Sequence, residues 1–213
     1  MPFSRTVELY ESVPGDAGTL LCAHADVAVY ALEDGWRFDS PDPNVPVSVT
    51  ASDDYARIAY CLPPCENTAL QEEKLLLLLR VAFECGFALH NTVSLHAACI
   101  ELDGQAVAFT APSGTGKSTR ATTWVRALGA RHISDDRPAI RLDGDCARAC
   151  GVPWDGKGRV YRQVEAPLQT ICEVHRAPFV RLRRLSPAQA YRLLTDQCFI
   201  PAWDPATAAA TLG

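Results

Sequence analysis

The stretch Ala111-Pro112-Ser113-Gly114-Thr115-Gly116-Lys117-Ser118-Thr119 constrains this chain more than any other feature. Val107-Ala108-Phe109 precedes it, a continuous apolar run of the kind found in strands buried on both faces. A helical pattern follows from Lys117 to Leu128, with Gly129 placed as a left-handed C-terminal cap. Gly114 and Gly116 let the backbone curl so that successive N–H groups point inward at an anion. The helix start adds its positive dipole end to the same spot. Strand, glycine loop and capped helix in this order predict a phosphate-binding loop for ATP or GTP, although the strict pattern has Gly where Ala111 stands. Ser113, Gly114, Thr115, Gly116, Lys117, Ser118 and Thr119 are its expected nucleotide contacts. Lys117 would reach the β- and γ-phosphates, and the Ser118 hydroxyl would ligate Mg²⁺.

The composition suits such a core. The 213 residues make one domain of ordinary size, or one with a small appendage. An apolar fraction of 48% and a charged fraction of 21% are close to the globular average and argue against disorder. The net charge of −5 leaves no excess of cations for a general nucleic-acid binder. The densest apolar run, Leu75 to Leu79, stops at Arg80, far short of the roughly 18 residues that span a bilayer. No apolar signal-peptide run follows Arg5. The expectation is a soluble cytoplasmic protein with no nucleic-acid or membrane partner. Its nine scattered cysteines include no CxxC pair and read as buried, reduced thiols.

Residues 1–66 alternate short apolar runs with turn residues, a β-rich section without a chemical motif. Thr68 to His90 reads as a helix that inserts into a core. Leu95 to Leu102 reads as a strand, Asp103-Gly104 as a hairpin turn and Gln105 to Thr110 as the returning strand. A second hairpin is expected around Asp143-Gly144. Ser186-Pro187-Ala188-Gln189 is a capping box that starts a helix. Asp204-Pro205 opens another, which stops at Gly213 after only two turns, as in a truncated chain.

Phosphoryl transfer to a hydroxyl also needs a carboxylate for the metal and a base for the proton. Asp135 and Asp136 follow Lys117 by 18 and 19 residues, after one helix and a short strand, so a strand beside the first would return them to the phosphate end. Adjacent like charges there suit a divalent cation. A solvated Asp-Asp turn before Pro138 is the plainer alternative. His96, in the strand before the first hairpin, can lie near the same end or can be an ordinary core or surface histidine.

Ser94-Leu95-His96-Ala97-Ala98, a hairpin, the glycine loop and Ile133-Ser134-Asp135-Asp136 occur in this order and at similar spacing in the HPr kinase/phosphorylase family. Those are bacterial serine kinases related in fold to ATP-dependent phosphoenolpyruvate carboxykinases, and the chain resembles them over roughly residues 66–203. Gly151-Val152-Pro153-Trp154-Asp155-Gly156-Lys157, Ala166-Pro167-Leu168 and Arg184-Leu185-Ser186-Pro187 are similar to a divergent branch of stand-alone HPr-kinase-like proteins, some found with ribosomal-peptide maturation genes. Thr119-Arg120 departs from the Ser-Glu of HPr kinases, so HPr itself is not carried over as the substrate.

The resemblance implies an α/β fold: a P-loop kinase core of the HPr kinase/phosphoenolpyruvate carboxykinase type on a mixed sheet, residues 67–213, behind a smaller β-rich section, residues 1–66. It implies ATP and Mg²⁺ as cofactors. Asp135 or Asp136 would be the base toward a serine hydroxyl, with the other on the metal beside Ser118, Asp136 being the assigned ligand. His96 would shape the phosphate site with Lys117, and Lys157 would either add a phosphate or substrate contact or be a solvated loop lysine. The expected partner is a protein or peptide phosphoacceptor, with a homo-oligomer implied by the family. A small-molecule kinase and a non-catalytic ATP-binding regulator are the alternatives.

Overall fold

The structure, a computed structural model, describes residues 6–10, 18–154 and 162–212. It is a mixed α/β protein with two mixed sheets and, among the described residues, four helices. The chain divides into two compact units, Met1–Leu89 with Pro201–Ala209 and His90–Ile200 with Ala210–Gly213.

The first unit carries six strands: β1 (Thr6–Tyr10), β2 (Thr19–Ala23), β3 (Ala28–Leu32), β4 (Gly35–Asp39), β5 (Ser48–Ser52) and β6 (Arg57–Cys61). Their order is β1-β6-β5-β4-β3-β2, antiparallel except where β1 pairs with β6. Gly35 has φ 147°, and a Cβ there would stand 2.0 Å from the Ala51 carbonyl oxygen. Helix α1 (Thr68–Ala88) starts at Asn67, whose side chain accepts from the Leu70 N–H at 3.1 Å. It packs on β4, β5 and β6 and buries Leu78, Val81, Ala82 and Cys85. The sequence boundary at 66/67 falls at the start of this helix, whereas α1 belongs to the compact unit of the first sheet.

The second unit holds β7 (Thr92–Ser94), β8 (Ala97–Leu102), β9 (Gln105–Thr110), α2 (Lys117–Leu128), β10 (Arg131–Ser134), β11 (Ala139–Asp143), β12 (Cys146–Cys150), β13 (Glu165–Glu173) and α3 (Pro187–Gln197). Helix α4 (Pro205–Leu212) ends the described chain. The sheet order is β10-β8-β9-β13-β12-β11-β7, with β9 and β13 parallel and every other pair antiparallel. Asp103 (φ 51°) and Gly104 (φ 79°) form the β8–β9 turn as expected. In the second hairpin Asp143 pairs with Cys146, so the turn residues are Gly144-Asp145, one position later than the Asp-Gly pattern suggests.

The expected strand Leu95–Leu102 is interrupted. Ser94 ends β7, at one edge of the sheet, and Ala97 begins β8, next to the opposite edge. Only Leu95 and His96 connect them, a span of about 11 Å at most between the flanking Cα atoms. The sheet therefore curls until its two sides nearly meet. Little room remains inside such a curl, and the cluster that fills it is dominated by small side chains: Ala97, Cys99, Ala106, Ala108, Ala149 and Ala166. The outer face, Ala98, Ile100 and Phe109, is covered by Ala121 of α2. Trp124 of α2 meets Phe109 edge-on at 5.4 Å, a contact worth about 1 kcal/mol beyond its buried area.

Candidate functional site

β8 is antiparallel to both β9 and β10, so β9 and β10 run in the same direction, and β13 is parallel to β9. The C-terminal ends of β9, β10 and β13 and the start of β8 thus lie at one end of the sheet, the end where α/β sheets hold ligands. The glycine loop leaves β9 at this end. Gly114 has φ 77° and Gly116 φ 114°, and nothing lies within 4 Å of a Cβ built on either. Backbone conformation, not space, demands glycine here. Gly116 is the N-cap of α2 and has no side chain with which to cap it, leaving first-turn N–H groups turned toward the loop. Ser113, Gly114, Ser118 and Thr119 are exposed, and Thr115 and Gly116 are half-buried.

Lys117 points the other way and is only 8% exposed. Its Nζ donates to the Ala111 carbonyl at 2.8 Å and lies 3.0 Å from His96 Nε2. Burial lowers the Lys117 pKa, the Arg137 charge adds to this, and the Asp136 charge opposes it. His96 is lowered in the same way, by burial first and the Lys117 charge second, with Asp136 again opposing. A neutral imidazole whose Nε2 accepts from the ammonium satisfies both groups, placing the ring proton on Nδ1. Asp136 Oδ1 stands 3.8 Å from the same Nε2, beyond hydrogen-bond reach. The structure thus gathers Lys117, His96 and Asp136 into one cluster.

Each member is held from outside the loop. The His96 peptide N–H donates to the Gln197 carbonyl at 2.8 Å, and Thr110 Oγ1 donates to the His96 carbonyl at 2.8 Å. The Gln197 side chain also bonds the His96 ring and favours its protonated form. Leu95 bridges to Cys198, and its N–H donates to the Pro138 carbonyl at 3.2 Å. After β10 the chain turns through Ser134, whose hydroxyl accepts from the Asp136 N–H at 3.3 Å. Arg137 follows at φ 50°, a left-handed conformation unusual for a side chain of that size.

Asp135 is placed differently. It is 5% exposed, and its charge acts on His132, raising a pKa that burial lowers more strongly. Successive residues leaving β10 thus divide between the interior and the cluster. Ser118 and Thr119 begin a cavity of about 310 Å³ that continues along α2 past Thr122, Thr123 and Arg126. Lys157, with Asp155 and Gly156, lies outside the described residues. Among the described residues no group of three or more His, Cys, Asp or Glu could hold a metal ion by itself. Magnesium needs no such cage, since it keeps waters and uses one or two protein oxygens with substrate phosphates; Ser118 and Asp136 are oxygen donors of that kind.

Two residues here carry no local signal in the sequence. Arg176, just beyond β13, donates from Nη2 to the Gly114 carbonyl at 2.6 Å, and Gln197 ends α3 against His96. Both contacts join positions far apart in the chain, and neither residue belongs to a motif. A capping box at Ser186 and the length of α3 would bring the sequence to Gln197 but not to its partner.

No protein-family model matches the chain, and no curated protein matches it.

Proposed function

We propose that this protein is an ATP-dependent kinase that transfers the γ-phosphoryl group to a serine hydroxyl of a protein or peptide, built on a P-loop kinase core of the HPr kinase/phosphoenolpyruvate carboxykinase type. The observation that carries this reading is the clustering of Lys117, His96 and Asp136 beside a loop with two left-handed glycines. The loop amides and the start of α2 suit the phosphates. Lys117 is kept buried by groups it would exchange for phosphate oxygens, and the neutral His96 keeps it oriented. Ser118 and Asp136 would hold Mg²⁺, which when bound neutralises charge on the β- and γ-phosphates. Asp136, its side chain 29% exposed, is the carboxylate beside His96 and Lys117, and either holding the metal or accepting the hydroxyl proton would fall to it. Arg176 fixes the Gly114 peptide, so the loop keeps its curl.

The test is transfer from γ-labelled ATP with Mg²⁺ into a protein and peptide extract of the source organism, with Asp135→Asn/Asp136→Asn run in parallel. A labelled band that disappears with the double variant, while ATP binding by titration survives, is the expected result. Equal labelling by the variant would sink the kinase reading. ATP binding without label from the native protein would favour a non-catalytic regulator or a small-molecule acceptor.

A further inference from the structure

The segment from Val174 to Gln197 is tied to the candidate site at both ends. Val174 N–H donates to the Thr110 carbonyl at 2.8 Å, and Arg176 holds the Gly114 carbonyl. At the other end Gln197 holds His96. Between these anchors the chain has no regular secondary structure up to Ser186, bends at Pro178-Phe179 and lies in solvent, with Phe179 65%, Val180 94% and Leu182 89% exposed. Apolar groups this open are unusual side by side on a soluble surface and mark a binding face. Their neighbours are arginines. From Val174 to Gln197 there are Arg176, Arg181, Arg183, Arg184 and Arg192 against a single carboxylate, Asp196, which pairs with Arg192 at 3.9 Å, in a chain whose net charge is −5. A basic and apolar strip therefore runs out from the glycine loop and returns at His96.

We propose that this strip docks an acidic peptide segment with apolar side chains, and that this segment belongs to the phosphoacceptor. The inference deepens the kinase reading and rests on it for the second clause only. Charge complementarity selects the occupant: three of the arginines, Arg181, Arg183 and Arg184, are exposed and can meet carboxylates, while Phe179 and Leu182 offer apolar anchors. Position selects its role. A segment lying along the strip passes between the loop at Gly114 and the cluster at His96, which is where a hydroxyl must arrive. A small acceptor would use neither the arginines nor the exposed apolar groups.

The experiment measures binding of two short fluorescein-labelled serine peptides to the full chain by anisotropy. The peptides share Leu and Phe positions and differ in carrying Glu or Lys between them. The Glu peptide is expected to bind, the Lys peptide to bind at least about tenfold more weakly, and added salt to erode the difference. Arg181→Ser/Arg183→Ser/Arg184→Ser should weaken the Glu peptide about tenfold, with ATP titration unchanged. Phe179→Ser is an independent variant that should weaken it with little change in salt dependence. Equal binding of the two peptides, or unchanged binding by both variants, would overturn the proposal. So would a dimer in light scattering that the triple variant splits into monomers, because a second copy would then be the occupant. Charge-selective binding without phosphoryl transfer would keep the docking strip and remove the kinase; transfer without charge selectivity would do the reverse.

Discussion

Lys117 Nζ and His96 Nε2 lie 3.0 Å apart, joining the first residue of the helix after the glycine loop to the two-residue link between β7 and β8. Asp136 approaches the same imidazole from the end of β10. The ammonium is withdrawn from solvent onto a backbone carbonyl and a neutral ring, and the arrangement is electrically coherent only while His96 remains unprotonated. The chemistry proposed for the site depends on that state.

Lys117→Ala should weaken ATP binding by about 10- to 100-fold, the loss of one charge-assisted contact to phosphate. Calorimetric titration at fixed Mg²⁺ and fixed salt would measure it. The variant should fold, because removing a buried cation together with its solvation requirement relieves the interior. Binding within a factor of two of the native protein would separate Lys117 from the nucleotide.

Asp135→Asn and Asp136→Asn should behave differently when made singly. Asp136 faces Lys117 and His96, so its replacement should lower transfer by about 10²- to 10⁴-fold while the melting temperature stays close to native. Asp135 is buried and interacts with His132, so its replacement should act first on stability. Thermal melts and transfer rates on both variants check this. Identical effects on both quantities would contradict the division of roles.

The pH dependence follows from the direction of the His96 shift. The unfolded ring titrates near 6.5 and the folded ring below that. As pH falls through 6.5 the unfolded state takes up a proton that the folded state refuses, so stability falls between 6.5 and the folded pKa and levels off beneath it. His96→Asn should remove this contribution, leaving that of His132, which is lowered by burial in the same sense. Gln197→Ala should lower the His96 pKa further, since the glutamine favours the charged ring. NMR titration of the ring protons reads both effects, and an upward shift in Gln197→Ala would contradict the geometry.

Gly151→Ala tests the support of the acidic pair. A Cβ on Gly151 would stand 1.7 Å from the Arg162 carbonyl oxygen and 3.2 Å from that of Ile133, in the strand that leads to Asp135. Backbone must move to admit it, at a cost of about 1–3 kcal/mol, which lowers the melting temperature by roughly 3–10 °C. Calorimetry would detect it, and an unchanged melt would show that the two segments do not approach so closely.

Features written in local chemistry were legible in the sequence. The glycine loop, α2 with Gly129 at φ 71° as its cap, the Asp103-Gly104 turn and the Ser186 capping box all follow from residues within one turn of each other. Strand β13 was not legible, because Pro167 lies within it and proline argues against a central strand. The register resolves this: around Pro167 the strand pairs with β12, and its pairing with β9 starts at Leu168. The break at His96 was hidden for a different reason. Leu95-His96-Ala97-Ala98 is apolar enough to read as unbroken strand, and only the long-range pairing of β7 with β11 shows that the chain changes sides there. Gln197 and Arg176 act across distances that no periodicity records.

The near-closure of the seven-stranded sheet makes His96 a seam rather than a point on a surface. Its place is set by both margins of the sheet at once, and Lys117 by a helix that packs on the outer face alone. Slackening anywhere in the curl, even at β11 and β7 across the interior, opens the seam and draws the imidazole away from the ammonium. The alignment of two side chains at the rim therefore reports on the curl as a whole, and substitutions among its inward-facing alanines should register in the site.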